Sequence, residues 1–283
     1  MNPFRRRDPP KYIALSHRWG TCPENMPLRT LRANIADHMQ QLPSETMPRS
    51  FRDVMTLARK LGVRYIWIDS LCIIQDDPAD WQREAAQMAS IYSGAYLTVA
   101  AACAEDSTVG CLPERMQASV EAYARPLDAD ADATPGHERD FVDASLLSSR
   151  GWILQEMVLS RRVLYVSKER HMYWQCRSLY QSEDGTLDMS LDGGQGDSSQ
   201  PHDIVEHVSG THTGLLKMVS FDTPIDSLAT WLAWINNYAR RSLTNPSDKL
   251  PALAGLVNHY QNQTKDEPLV GLWRKHLIPL LSW

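Results

Sequence analysis

His17, Asp69, Cys72 and Glu156 are the side chains of this sequence best suited to chemistry, the first three just past the ends of apolar runs and the last in an amphipathic segment. An imidazole that titrates near neutrality permits acid/base or nucleophilic work when carboxylates and a thiol share its cleft. The run Arg64-Tyr65-Ile66-Trp67-Ile68 stops at Asp69, Cys72 and Gln75, and Tyr12-Ile13-Ala14-Leu15 stops at Ser16, His17 and Trp19. Trp152 and Glu156 lie four residues apart, one helical turn, with Gln155 between them. Singly, each residue has a plain structural explanation: a buried thiol for Cys72, a cap for Asp69, a core imidazole for His17, core rings for Trp19 and Trp152, a solvated amide for Gln155. Three polar tips in one chain point instead to a shared site.

Such tips need elements to hold them. Tyr12 to Ser16 reads as a strand, Pro27 to Met39 and Pro48 to Leu61 as helices, and Val63 to Ile68 as a second strand. Pro78 to Tyr92 follows as a helix with proline in its first turn, and Tyr96 to Ala102 as a third strand. Strand, helix and strand in alternation predict an α/β fold with a parallel sheet flanked by helices, and ligands of such sheets collect beyond the strands' carboxyl ends. After the Trp152 helix, Val163 to Val166 and His171 to Gln175 suggest a hairpin about Lys168-Glu169. Asp128 to Glu138 reads as a mobile loop and the glycine-rich Asp192 to Ser209 as a linker. From Ile225 onward, Trp231, Leu232, Trp234, Ile235 and Tyr238 mark an amphipathic helix, with further helices near Leu250 to Tyr260 and Pro268 to Leu280. The expected organisation is a basic, proline-containing tail over 1–11, a domain over 12–185, a linker or insertion over 186–220, and an α-helical extension over 221–283 packed on the core.

With 283 residues, 43% of them hydrophobic, the chain is long enough for a proper core. A net charge of −5 argues against a nucleic-acid partner, which calls for a basic face. No apolar run approaches the roughly 20 residues of a membrane span, and no signal-like core opens the sequence, so a cytoplasmic protein is expected. Five widely spaced cysteines without a C-x-x-C pair suggest reduced thiols. His202, His207 and His212 recur at a spacing that aligns on neither helix nor strand, and no metal site is expected.

The three blocks together resemble the fungal heterokaryon-incompatibility (HET) domain. Its pattern reads L-S-[YH]-x-W-G, then Y-x-W-I-D-x-[LI]-C-I-x-Q, then R-x-W-x-x-Q-E, and all three occur here in order. Asp80-Trp81 with Glu84, Met88, Ile91-Tyr92 and Ala95 fits a fourth segment, while Tyr238 to Thr244 and Asp248 to Gly255 look like the tail that follows the domain in many members. Ile74 departs from the pattern, standing where members commonly carry Asp or Asn. HET domains are remotely similar to Toll/interleukin-1 receptor (TIR) domains, a flavodoxin-like fold in which several members cleave NAD with the glutamate of a W-x-x-x-E segment. The resemblance therefore implies a catalytic role for Glu156 alone, while the placement of the other residues suggests that His17, Asp69 and Cys72 support it and that Ser16, Trp19, Gln75, Trp152 and Gln155 bind substrate. It implies a cell-death effector of nonself recognition, with NAD as substrate rather than cofactor and a protein partner or homo-oligomer as the other binding option. Two alternatives use the same residues: a biosynthetic enzyme with Cys72 or His17 as nucleophile or base, and a non-catalytic interaction module that docks a partner through its Trp-rich tail.

Overall fold

A computed structural model describes residues 9–112, 145–167, 171–176, 179–185, 188–190, 224–269 and 271–281. The expected loop at Asp128 to Glu138, the linker at Asp192 to Ser209, the turn at Lys168-Glu169 and the three histidines from His202 to His212 lie outside the described residues.

The first half alternates as its sequence predicts. Strand β1 (Tyr12–Ser16) leads through helices α1 (Ile35–Gln40) and α2 (Arg49–Lys60) to β2 (Tyr65–Ile68). The single turn α3 (Asp69–Cys72) and the long helix α4 (Pro78–Gly94) then lead to β3 (Leu97–Ala100). Asp77 caps α4, its carboxylate accepting from the amides of Ala79 at 3.0 Å and Asp80 at 3.3 Å, ahead of Pro78 in the first turn. Helix α5 (Gly151–Leu159) precedes β4 (Arg162–Val166), β5 (Met172–Cys176), β6 (Leu179–Ser182) and β7 (Asp188–Ser190). The C-terminal region holds α6 (Pro224–Ala239), α7 (Pro251–Thr264), the short strands β8 (Pro268–Leu269) and β9 (Leu272–Trp273), and α8 (Leu277–Leu281).

The first seven strands form one sheet in the order β2-β1-β3-β4-β5-β6-β7. The four strands at one end are parallel, and β5, β6 and β7 continue the sheet as an antiparallel meander. The order 2-1-3-4 is that with which a flavodoxin-like sheet begins, so the topological switch falls beside β1.

Two of the expected helices are smaller than the sequence reading. Between Pro27 and Asn34 the chain is not helical, because Thr30 pairs with Ile74 as an isolated bridge and its amide donates to Ser70 O at 2.9 Å. Pro268 to Leu280 is a β-turn-β unit followed by a short helix, since Gly271 turns the chain with φ +86 and Trp273 drops into the core at 1% exposure.

The pleat of β1 decides which way its tip points. Ile13 and Leu15 pack with Phe51, Val54 and Leu57 of α2, whereas Ala14 faces Met88 and Tyr92 of α4. Continuing that alternation, Ser16 falls on the α4 side and His17 on the α2 side, where its ring meets Phe51 edge-on at 5.2 Å. In β2, Ile68 joins the α2 side and Trp67 the α4 side, which sends Asp69 toward α4.

Helix α5 is buried nearly all round, because α6 and α7 cover what the sheet leaves open: Leu154, Val158 and Leu159 pack with Trp231, Trp234, Leu256 and Tyr260. Gly255 makes this approach possible. A Cβ there would stand 2.3 Å from Gln155 Oε1 and 2.7 Å from Ala89 Cβ. Gly255→Ala gains about 1 kcal/mol of helix propensity but overpacks a contact worth roughly 1–3 kcal/mol. The expected outcome is a net loss of stability, read as a lower denaturant midpoint with an unchanged slope.

Candidate functional site

A cleft of about 1020 Å³ opens at the carboxyl edge of the parallel strands. Asp69 and Glu156 face it from β2's end and from α5, and Trp19, Trp81 and Trp152 give it aromatic walls. The rings of Trp81 and Trp152 meet edge-on at 6.2 Å. The far wall is the segment from Ser242 to Asp248, which follows α6.

Each group is held by a contact that can be named. The Trp19 indole donates to Asp69 Oδ2 at 2.9 Å, while Asp69 Oδ1 accepts from the Ser70 amide at 2.7 Å and lies 3.7 Å from His17 Nδ1. Gln75 Nε2 donates to Asp69 O and Ile73 O, both at 3.0 Å, and so fixes the turn that presents Asp69. Arg150, the residue that precedes α5, donates through Nη1 to His17 O at 2.7 Å and ties the helix start to the β1 tip. The Trp152 indole donates to Asp248 Oδ2 at 3.1 Å, anchoring the far wall. Behind these contacts, Ser242 N donates to Ser149 O at 2.6 Å and Gly151 N to Ser242 O at 2.8 Å.

Burial sets the protonation states. Glu156 is 5% exposed, and desolvation raises its carboxyl to about 7. The adjoining Ser16 hydroxyl, Arg150 and the Tyr92 phenol oppose that rise, and the charge of Asp69 adds to it. Ser16 Oγ lies close enough to favour the carboxylate, although its geometry falls short of a formed hydrogen bond. His17 is pulled below its usual value by burial, with Asp69 acting the other way, and among the described residues neither ring nitrogen completes a hydrogen bond. Tyr92 is held far above the ordinary phenol value by burial and by Glu156. At neutral pH the site thus holds a half-ionised carboxylic acid beside a neutral imidazole and a phenol. Asp69→Asn removes a charge that lifts Glu156, so the Glu156 carboxyl is expected to titrate lower than in the wild type. The pH dependence of its carboxyl carbon resonance measures this.

Of the residues that the sequence singles out, Trp19, Asp69, Gln75, Trp152 and Glu156 line the cleft. Ser16 and His17 are buried behind it, at 1% and 3% exposure, adjoining Glu156 and Asp69 respectively. Gln155 is buried rather than solvated and turns toward Gly255 of α7. Cys72 is exposed and is not among the residues that line the cleft. Partial desolvation and the charges of Asp69 and Glu84 push its thiol above the usual value, which disfavours a nucleophilic thiolate. The sequence reading missed Arg18, Arg150 and the wall from Ser242 to Asp248 as site residues. Arg150 heads the R-x-W-x-x-Q-E block and the wall falls in the tail motif, so a signal was present for both.

The structure is thus a mixed α/β sheet with an acid-lined, aromatic-walled cleft at the carboxyl ends of its parallel strands, the place where ligands of such sheets collect. The profile of the heterokaryon incompatibility protein (HET) family matches residues 12–156, and the chain belongs to that family. No curated protein and no solved structure matches the chain. The matched segment starts at β1 and ends on Glu156. Membership suggests a role in heterokaryon incompatibility and cell death. Among the described residues no helix is long and apolar enough to cross a membrane.

Proposed function

We propose that this protein is a cell-death effector that hydrolyses the N-glycosidic bond of NAD, with Glu156 as the essential carboxylate. The observation that carries the reading is a buried glutamate, raised to about 7, that faces a large cleft one helical turn after Trp152. The W-x-x-x-E spacing of NAD-cleaving TIR domains supports it. Ionised Glu156 would face the ribose, and the ring of Trp152 would receive the cationic nicotinamide. As the carbon–nitrogen bond breaks, its electron pair leaves with nicotinamide, which becomes neutral, and the carboxylate stabilises the positive charge that grows on the ribose. Water then adds to the anomeric carbon and releases one proton to solvent, giving ADP-ribose. Asp69 and His17 tune and position Glu156 in this scheme, and Cys72, outside the cleft, takes no part.

Incubation of the purified protein with NAD, followed by chromatographic detection of nicotinamide and ADP-ribose, tests the reading. Stoichiometric release of both is the expected result. Cell death on expression with NAD untouched, in the cell and in the tube, would overturn it in favour of signalling by contact.

A further inference from the structure

We infer that Arg18 is the anion-binding residue of this cleft and that it selects phosphorylated ligands, gripping a phosphate of the nucleotide through its guanidinium. The inference rests on the nucleotide reading above and names the group by which the substrate is recognised.

The cleft is lined by four carboxylates, Asp69, Asp76, Glu156 and Asp248, and by two guanidinium groups, Arg18 and Arg150. A phosphate entering that field is repelled unless a cation meets it. Arg150 is committed, because its Nη1 donates to His17 O at 2.7 Å. Arg18 differs: among the described residues its half-buried side chain makes no ion pair and no hydrogen bond. Arginine offers a rigid fork of donors that matches two phosphate oxygens at once.

The backbone around Arg18 is fixed although its side chain has no partner among the described residues. Arg18 O accepts from Ser107 Oγ at 3.1 Å, and the next residue, Trp19, is pinned to Asp69 at 2.9 Å. Gly20 follows with φ +90, and a Cβ there would meet Asp106 Cβ at 2.9 Å. Asp106 in turn accepts from Asn25 Nδ2 at 2.8 Å, closing the loop that carries Arg18. A tightly braced loop presenting to a cleft a guanidinium with no partner among the described residues is preorganised for an anion. The acidic and aromatic groups of the same cleft are left to the uncharged or cationic end of the ligand. The substrate class is thus a nucleoside phosphate or diphosphate and not a bare nucleoside.

Titration calorimetry on the full chain at low salt, with adenosine, ADP and inorganic pyrophosphate as separate probes, tests this. The wild type is expected to bind ADP at least tenfold more tightly than adenosine, and to bind pyrophosphate. Arg18→Gln is expected to weaken ADP and pyrophosphate by roughly tenfold to a hundredfold, the range of a charge-assisted double hydrogen bond, with adenosine unchanged. Arg18→Lys should recover part of the loss, since it restores the charge without the fork. The melting temperature of both variants should stay at the wild-type value, because the side chain makes no bond among the described residues. Equal binding of ADP and adenosine by the wild type, failure of both phosphorylated probes to bind, or an Arg18→Gln variant that loses adenosine as much as ADP would overturn the assignment. None of these readouts needs turnover, so a protein that binds ADP through Arg18 yet leaves NAD intact would sink the proposed reaction and keep this site.

Discussion

Glu156→Gln is expected to abolish NAD cleavage, by roughly a hundredfold or more, and at the same time to give a protein more stable than the wild type above neutral pH. The loss follows from electrostatics: the amide keeps the size of the side chain but cannot stabilise positive charge on the ribose, and one such stabiliser is typically worth that factor in rate. The gain follows from linkage. Glu156 titrates near its ordinary value of 4.5 in the unfolded chain and near 7 in the folded one. Between those values the native state holds the extra proton, so stability falls as pH rises and the full cost is present above about 7. That interval corresponds to roughly 3 kcal/mol, an upper figure, since the Gln amide must also find partners in the same buried place. Melting curves of the two proteins should coincide near pH 4 and separate by several degrees at pH 8, with the variant higher. The wild-type rate should climb through pH 7 as the carboxyl ionises. A variant less stable than the wild type at pH 8 would mean that Glu156 is a satisfied structural group rather than a strained functional one.

What the sequence shows of this architecture is what local periodicity can carry. The runs Tyr12–Ser16 and Leu97–Ala100 are almost wholly buried and Tyr65–Ile68, at the sheet edge, is apolar throughout, so all three read as strands at sight, and α2, α4, α6 and α7 repeat apolar residues at helical spacing. The antiparallel strands β6 and β7 were illegible, since Leu-Tyr-Gln-Ser and Asp-Met-Ser carry no run long enough to signal a strand. At Pro268 to Leu280 a helical reading failed because the turn at Gly271 and the burial of Trp273 are tertiary facts. The site divides in the same way. Asp69 announces itself by standing where an apolar run ends, and Trp152 and Glu156 by their one-turn spacing. Arg150 and Asp248 stand in motifs, but their roles come from long-range contacts: the Arg150 guanidinium reaches His17 O, 133 positions away in sequence, and Trp152 reaches Asp248 across 96.

A chain ending before Pro224 is expected to lose both cooperative folding and the cleft, although the family match stops at residue 156. Leu154, Val158 and Leu159 of α5, each no more than 7% exposed, are covered by a core to which α6, α7 and β9 supply Trp231, Trp234, Leu256, Tyr260 and Trp273. Uncovering three such side chains costs roughly 1.5–3 kcal/mol apiece, a sum comparable with the whole net stability of about 5–15 kcal/mol that domains usually possess. The uncovered face would also be a contiguous apolar patch prone to self-association. The site fails for a separate reason. Arg241 Nη1 donates to Ser148 O at 2.6 Å and to Arg150 O at 3.3 Å, bracing the turn that aims Arg150, and Asp248 holds the Trp152 indole. Circular dichroism melts and light scattering of a 1–223 chain should show a broad, non-cooperative transition and large aggregates, with no release of nicotinamide from NAD. Addition of the separate 224–283 segment is expected to recover part of the helical signal and of the cooperativity, because what is missing is a covering surface and not a covalent link. A 1–223 chain that melts sharply at the wild-type temperature would show instead that the sheet and α5 stand alone and that the C-terminal helices only decorate them.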